Sequence, residues 1–279
     1  MIINHNISAL TAYRTATDVS LQRTADMAKM STGSRIVSAG DDAAGLAVSE
    51  KMRTQIRGLN QAVRNINDGI GFIQVTEGYL QGSVDALQRI RELAIQAANG
   101  IYSNEDRLYM QIEVSQMIRE VDRIASQGQF NGMTLLTGRF NQEYSRMVIH
   151  MGANMDQREF INIGTMTASA LGLRMDEEES ISVTAVDRAN ITIGVVDTAL
   201  LIVSKQRADL GGYQNRLQMA VKSQMIGSEN LQASESQIRD MDMAFGSMNL
   251  SRDAILNEIS MAMLAQANIK LRAVERLLS

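Results

Sequence analysis

The sequence predicts a mainly α protein: a long helical hairpin or coiled-coil bundle with a small β-rich insert at mid-chain. Three observations carry this. There is no proline among the 279 residues, and proline is what interrupts helix interiors and punctuates loops. Stepping by four and three from Met52 meets Ile56, Leu59, Val63, Ile66, Ile70, Ile73, Glu77, Leu80, Val84 and Leu87, apolar at ten of eleven positions. Nineteen methionines accompany 4% aromatics and no tryptophan. Methionine is unbranched and fills irregular, adjustable interfaces, whereas so few rings cannot line an aromatic pocket.

The elements follow in order. Ile3, Ile7, Leu10 and Leu21 keep a thin helical spacing that ends at the glycine of "STGSR". The strong ladder from Met52 is a 3.5-residue repeat, which buries a seam against a partner helix. Its helix is expected to start after Asp41-Asp42, either of which can cap it, and to stop at Asn99-Gly100. Some 55 residues at 1.5 Å each make a rod of roughly 80 Å. Ser103 and Asp106 read as a capping box for a second helix reaching about Gly128, and Asn131-Gly132 is a turn signal. From about 133 to 187 the pattern shortens. "RMVIHMG", "EFINIGT" and "SISVTAV" are β-branched and bounded by turn residues, giving two or three short strands. The acidic run Asp176 to Glu179 reads as a solvated loop tip. A four-three ladder returns with Ile193, Val196, Leu200, Val203, Leu210, Leu217, Val221 and Leu231. A second register, Ile238, Met241, Phe245, Met248, Ile255, Ile259 and Ala262, continues towards the carboxyl end.

One stretch resists burial within a single hairpin. Residues 259–269, "ISMAMLAQANI", carry no charge. A helix apolar all round is covered on several sides, and Met261 and Met263 point to opposite sides of it. Burying Ile259, Met261, Met263, Leu264 and Ile269 offsets little more than the entropy of ordering the segment. The amino-terminal helix can cover one face, and other copies of the chain are the expected cover for the rest. The ends are then expected to order on assembly.

Composition narrows the function. A net charge of −4 argues against a general nucleic-acid binder. With no cysteine, disulfides and thiolate metal sites are excluded. "MIINHNISAL" has neither the basic flank nor the apolar run of a secretory signal, and no stretch approaches the length of a membrane span. His5 and His150 stand outside any metal-binding pattern. "GSRIVSAG" lacks the Lys-Ser/Thr of a phosphate loop. No enzyme constellation, cofactor or metal site is expected.

The sequence resembles the bacterial flagellins. "STGSRIVSAGDDAAGLAVSEKMRTQIRGLNQAVRNINDGI" (31–70) is similar to the amino-terminal signature of that family. "LQRIRELAIQAANG", "FNGMTLL", "ASESQIRDMDMA" and "MLAQAN" match further blocks in the same order. "MIINHN", "ANGIYS", "IHMGANMDQRE" and "IGTMTASALGL" resemble spirochaete core flagellins in particular. The resemblance implies a subunit of the flagellar filament, exported without a signal peptide and self-assembling through both chain ends. It implies a terminal coiled-coil domain (1–32 plus 240–279) forming an inner tube. A helical rod domain (33–239) with a small β-element follows, and the large outer domains of many relatives are absent. It places the filament in a periplasmic flagellum. The implied partners are other copies of the chain, sheath proteins, hook-junction and cap proteins, an export chaperone and a host Toll-like receptor. One departure is the run Phe245-Gly246-Ser247-Met248, where the family usually has acidic residues. Gly246 is expected to bend the chain there. Two other readings are a secreted coiled-coil ligand active as a monomer and a related hook-junction protein.

The candidate site residues follow. The assembly interface is expected at Ile3, Ile7, Leu10, Ile259, Met261, Met263, Leu264 and Ile269. Arg35, Asp41 and Asp42 flank the first loop as ion-pair candidates. Arg89, Leu93 and Glu113 match receptor-contact positions of the family, and packing between subunits is the competing role. Ser169, Ser180 and Ser182 lie where some flagellins carry O-linked sugars.

Overall fold

The computed structural model describes residues 5–141, 145–174 and 181–278. Ile3, Ser180 and the acidic run 176–179 lie outside the described residues. Among the described residues, five helices and two β-hairpins follow one another: α1 (Ile7–Thr32), α2 (Ala43–Ala97), α3 (Asn104–Gln127), β1 (Gln129–Phe130), β2 (Met133–Thr134), β3 (Met147–His150), β4 (Arg158–Ile161), α4 (Val186–Arg239) and α5 (Met243–Leu278). The chain divides into two compact units, Met1–Ile56 with Glu229–Ser279, and Arg57–Ser228.

In the Arg57–Ser228 unit the predicted ladder is the core. Leu59, Ile66, Ile73, Leu80, Val84 and Leu87 are buried, and Val63, Ile70 and Glu77 are half-buried. The four-three spacing of α4 meets them with Val196, Val203, Leu210 and Leu217 buried. Three side-chain contacts run in opposite chain order, so the two helices are antiparallel: Arg91–Asp197 at 2.7 Å, Glu77–Arg207 at 3.4 Å and Asn60–Ser228 at 3.2 Å. Glu77, the one interruption of the ladder, is thus the partner of Arg207. The third helix begins as predicted. The Ser103 side chain accepts from the Asp106 N–H, and the Asp106 carboxylate accepts from the Ser103 N–H. Arg107 is buried, and its Nε and Nη2 donate to the carbonyls of Ala97 and Asn99 at 3.0 and 3.2 Å. A cation there satisfies acceptors that the end of α2 leaves open and complements its dipole.

The insert differs from expectation in detail. Asn131 and Gly132 form the turn of a β1–β2 hairpin, both at positive φ (49° and 74°), the pattern of a primed turn. "RMVIHMG" and "EFINIGT" supply β3 and β4, paired antiparallel from Met147–Ile161 to His150–Arg158. The described residues of "SISVTAV", 181–186, form no strand. Among them, the Ile181 N–H donates to the Leu173 carbonyl and the Val183 N–H to the Gln111 side chain, so Ile181 and Val183 are buried without a ladder while Ala185 and Val186 stay exposed. The β3–β4 hairpin lies close on α2 because two helix positions have no side chain. A Cβ at Gly58 would stand 2.7 Å from Ala153 Cβ, and one at Gly69 would collide with Ile149. Phe72 packs edge-on against Phe130 and Phe140, with centroids 5.6 and 5.8 Å apart.

In the other unit α1 and α5 form a pair. Asn6 caps α1 through the Ala9 N–H and donates its side-chain amide to the Ala267 carbonyl at 3.1 Å, so the start of α1 lies against α5. Gly33 ends α1 in the left-handed region at φ 66°, where its N–H reaches Lys29 and Met30 carbonyls. The break between α4 and α5 falls at 240–242, with Asp242 capping α5 through the Ala244 N–H. Gly246 is therefore not the bend. It is buried inside α5, against Met241 and Met30.

Candidate assembly face on the terminal helix pair

The inward sides of α1 and α5 are small or polar. Buried on α5, seven residues apart, are Gly246, Asp253 and Ser260, and α1 answers with Ala16 and Asp26. Ala9, Ala12, Val19, Asn257, Leu264 and Ala267 extend both lines, half-buried. Small side chains let the two backbones approach, so this seam covers little apolar surface. The large residues stay exposed, some of them along the open edge between the two helices. Ile7, Leu10 and Ile259 are 60%, 68% and 52% exposed, and Met261, Met263 and Ile269 are exposed as well. Leu264 alone of the described candidates is half-buried, on the seam.

The register expected from Ile238 to Ala262 is consequently not the contact between these two helices. Phe245, Met248, Ile255 and Ile259 on that register face solvent. The reason is steric and local, because the glycine, serine and alanine positions allow closer approach than the large ones. Sequence reasoning missed this seam because it searched for large apolar residues. The seven-residue spacing of Gly246, Asp253, Ser260 and Ala267 was the available signal. Between the helices, Ile7, Thr11, Thr15, Ile259, Ser260 and Met263 line an open groove of about 440 Å³. Its lining mixes hydroxyl and apolar side chains. Among the described residues no ion pair joins α1 to α5.

The joint at the base of the pair is held by backbone. The Arg35 N–H donates to the Arg239 carbonyl at 2.7 Å, and the Met241 N–H donates to the Gly33 carbonyl at 2.9 Å. Arg35 does not pair with either aspartate, since its guanidinium donates to the Ile238 carbonyl at 2.7 Å. Asp42 caps α2 through the Gly45 N–H at 2.9 Å. Asp41 closes the loop by accepting from the Val37 and Ser38 N–H groups and pairs with Lys29 at 3.0 Å. The hydrogen bond from Ser38, then that from Lys29, holds the Asp41 carboxyl well below the usual carboxylate range.

The three receptor-type candidates separate. Leu93 is buried in the core of the Arg57–Ser228 unit and is not a surface residue. Arg89 and Glu113 are at the surface, paired at 2.7 Å, and Arg89 also reaches Glu92 at 3.2 Å. Ser169 is exposed, and Ser182 is half-buried with its hydroxyl 2.9 Å from Thr184. Among the described residues no group of three or more His, Asp or Glu is placed to hold a metal ion, and no helix is long and apolar enough to cross a membrane.

Two family models match this arrangement at its two ends. The bacterial flagellin N-terminal helical region matches residues 3–141, and the bacterial flagellin C-terminal helical region matches 193–278. The chain belongs to the bacterial flagellins. This flagellin is 56% identical over 284 residues to a flagellar filament core protein of Brachyspira hyodysenteriae, covering 100% of each chain. It is 55% identical over 285 residues to a flagellar filament 31.3 kDa core protein of Treponema maltophilum, again covering 100% of each. The putative flagellar hook-associated protein of Vibrio parahaemolyticus shares the fold, at TM-score 0.58 and 14% identity over 72% of this chain and 100% of that one. This flagellin is a structural subunit of the bacterial flagellar filament and serves motility.

Proposed function

We propose that the outward apolar side of the α1–α5 pair is the polymerisation surface, so that copies of the chain stack helically with these faces buried between them. The observation that carries this reading is the inversion at the seam. The small and polar sides of both helices face inward, and Leu10, Ile255, Ile259 and Met263 remain in water. Large apolar side chains left exposed in such number along two paired helices are a mark of association, and a flagellin is a subunit of a polymer. The protein acts structurally rather than as an enzyme, in the filament of a periplasmic flagellum. Residues 1–32 with 240–279 act as the inner-tube domain and 33–239 as the surrounding rod. The helix breaks at 33–42 and 240–242 support that division. Sheath, hook-junction and cap proteins and an export chaperone are its further partners. A Toll-like receptor meeting the monomer would find Arg89 and Glu113 at the surface and Leu93 enclosed.

The test is seeded elongation. Acid-dissociated chain is neutralised, mixed with filament fragments and viewed by negative-stain microscopy beside a chain ending at Glu258. The full chain is expected to lengthen the seeds and the shortened chain to stay monomeric. Equal elongation by both would overturn the reading.

A further inference from the structure

The seam that holds α1 against α5 contains two carboxylates. Asp26 is 7% exposed and Asp253 is 3% exposed. Neither is well compensated. The Asp253 Oδ1 accepts from the neighbouring Arg252 Nε at 3.3 Å, and its Oδ2 is buried with no hydrogen-bond partner. Asp26 accepts from the Gln22 side chain at 3.5 Å, the limit of a hydrogen bond. Burying carboxyl groups with such thin pairing opposes folding. The rest of the seam supplies little to offset it, because Gly246, Ser260, Ala12 and Ala16 bury small areas.

These two positions lie on the covered sides of their helices, roughly half a turn from Leu10 and Ile255 and about a third of a turn from Ile259. They therefore do not belong to the outward apolar surface. We infer that Asp26 and Asp253 are an assembly brake. They keep the terminal pair too weak to persist in the free chain, and burial of the outer face by neighbouring copies supplies what the seam lacks. The inference rests on the polymerisation surface proposed above and adds its regulation: the brake sets the concentration at which filaments form and suppresses growth without seeds. An apolar residue at both positions would stabilise the pair without touching the surface that copies share, since replacing a buried charge by a packed hydrophobic group is often stabilising.

The experiment compares the full-length chain with Asp26→Leu/Asp253→Leu and Asp26→Asn/Asp253→Asn. Amide exchange in the monomer at neutral pH reads the pair itself, over 9–30 and 245–267. Pelleting across a dilution series reads the assembly threshold, with and without seeds. In the leucine variant, protection is expected to rise about tenfold or more and the threshold to fall about tenfold, with growth no longer needing seeds. The asparagine variant should lie between it and the native chain, since it loses the charge and keeps the polarity. Unchanged protection and threshold would overturn the inference. A raised threshold would also overturn it, by showing that the carboxylates are satisfied across copies in the filament. Failure of the native chain to extend seeds would instead count against the polymerisation surface, while the monomer exchange data still judge the brake. Thermal unfolding of the Arg57–Ser228 unit, expected to be unchanged, separates a folding defect from either.

Discussion

Single residues carry charges whose roles the structure distinguishes by their partners. Arg107 is buried beneath the α2–α3 turn and donates to the Ala97 and Asn99 carbonyls. Arg107→Met keeps most of the packing and leaves both acceptors unpaired, so it should cost about 2–3 kcal/mol in denaturant unfolding. Asp41 gives a pH-dependent test. Its folded-state pKa is depressed below the unfolded value, so its contribution is fully present above the ordinary value of 3.8 and is lost as pH falls below it. Asp41→Asn should therefore loosen the 33–42 loop at neutral pH, seen as faster exchange of the Val37 and Ser38 amides. That difference from the native chain should shrink as the pH drops below about 4. A constant difference across that range would contradict the account. The Asp42 cap and the Ser103–Asp106 box were legible in the sequence, because capping is a local rule. The Lys29–Asp41 pair and the carbonyl partner of Arg35 were not, because they depend on where two separate helix breaks come together.

Elements were legible in proportion to how strongly one side of them is apolar. The repeat from Met52 to Leu87 specified α2 and its buried side, and the α4 ladder specified the antiparallel helix it meets. α1 and α5 were legible as helices but not in orientation, since their seam is built from alanine, glycine, serine and aspartate. "SISVTAV" has strand composition, and its described residues lack a strand partner, which no local pattern reveals. The β3–β4 hairpin rests on two glycines of α2, and this makes a prediction at the scale of the element. In Gly58→Ala the new methyl meets the Cβ and backbone of Ala153 rather than the end of a flexible side chain. The hairpin must then lift, at a cost of about 1–3 kcal/mol despite the better helix propensity of alanine. Chemical-shift changes concentrated at 147–161 would locate the effect, and an unperturbed hairpin would refute it.

For the whole molecule, the two units divide the work. Arg57–Ser228 owns a continuous apolar core, whereas the α1–α5 pair buries a thin seam and leaves its large side chains outside. On the proposed reading such a chain is completed by its neighbours, in keeping with a flagellar filament subunit. The measurement closest to that claim is methionine oxidation by dilute peroxide, compared between monomer and filament by mass spectrometry. Met248 and Met263 are exposed on α5, Met263 at the groove beside α1, whereas Met110 is buried in the core of the other unit. Met248 and Met263 are expected to oxidise readily in the monomer and at least about tenfold more slowly in the filament, with Met110 slow in both. Equal oxidation of Met248 and Met263 in the two states would mean that neighbouring copies leave the face in water, and the account of assembly through the terminal helices would fail.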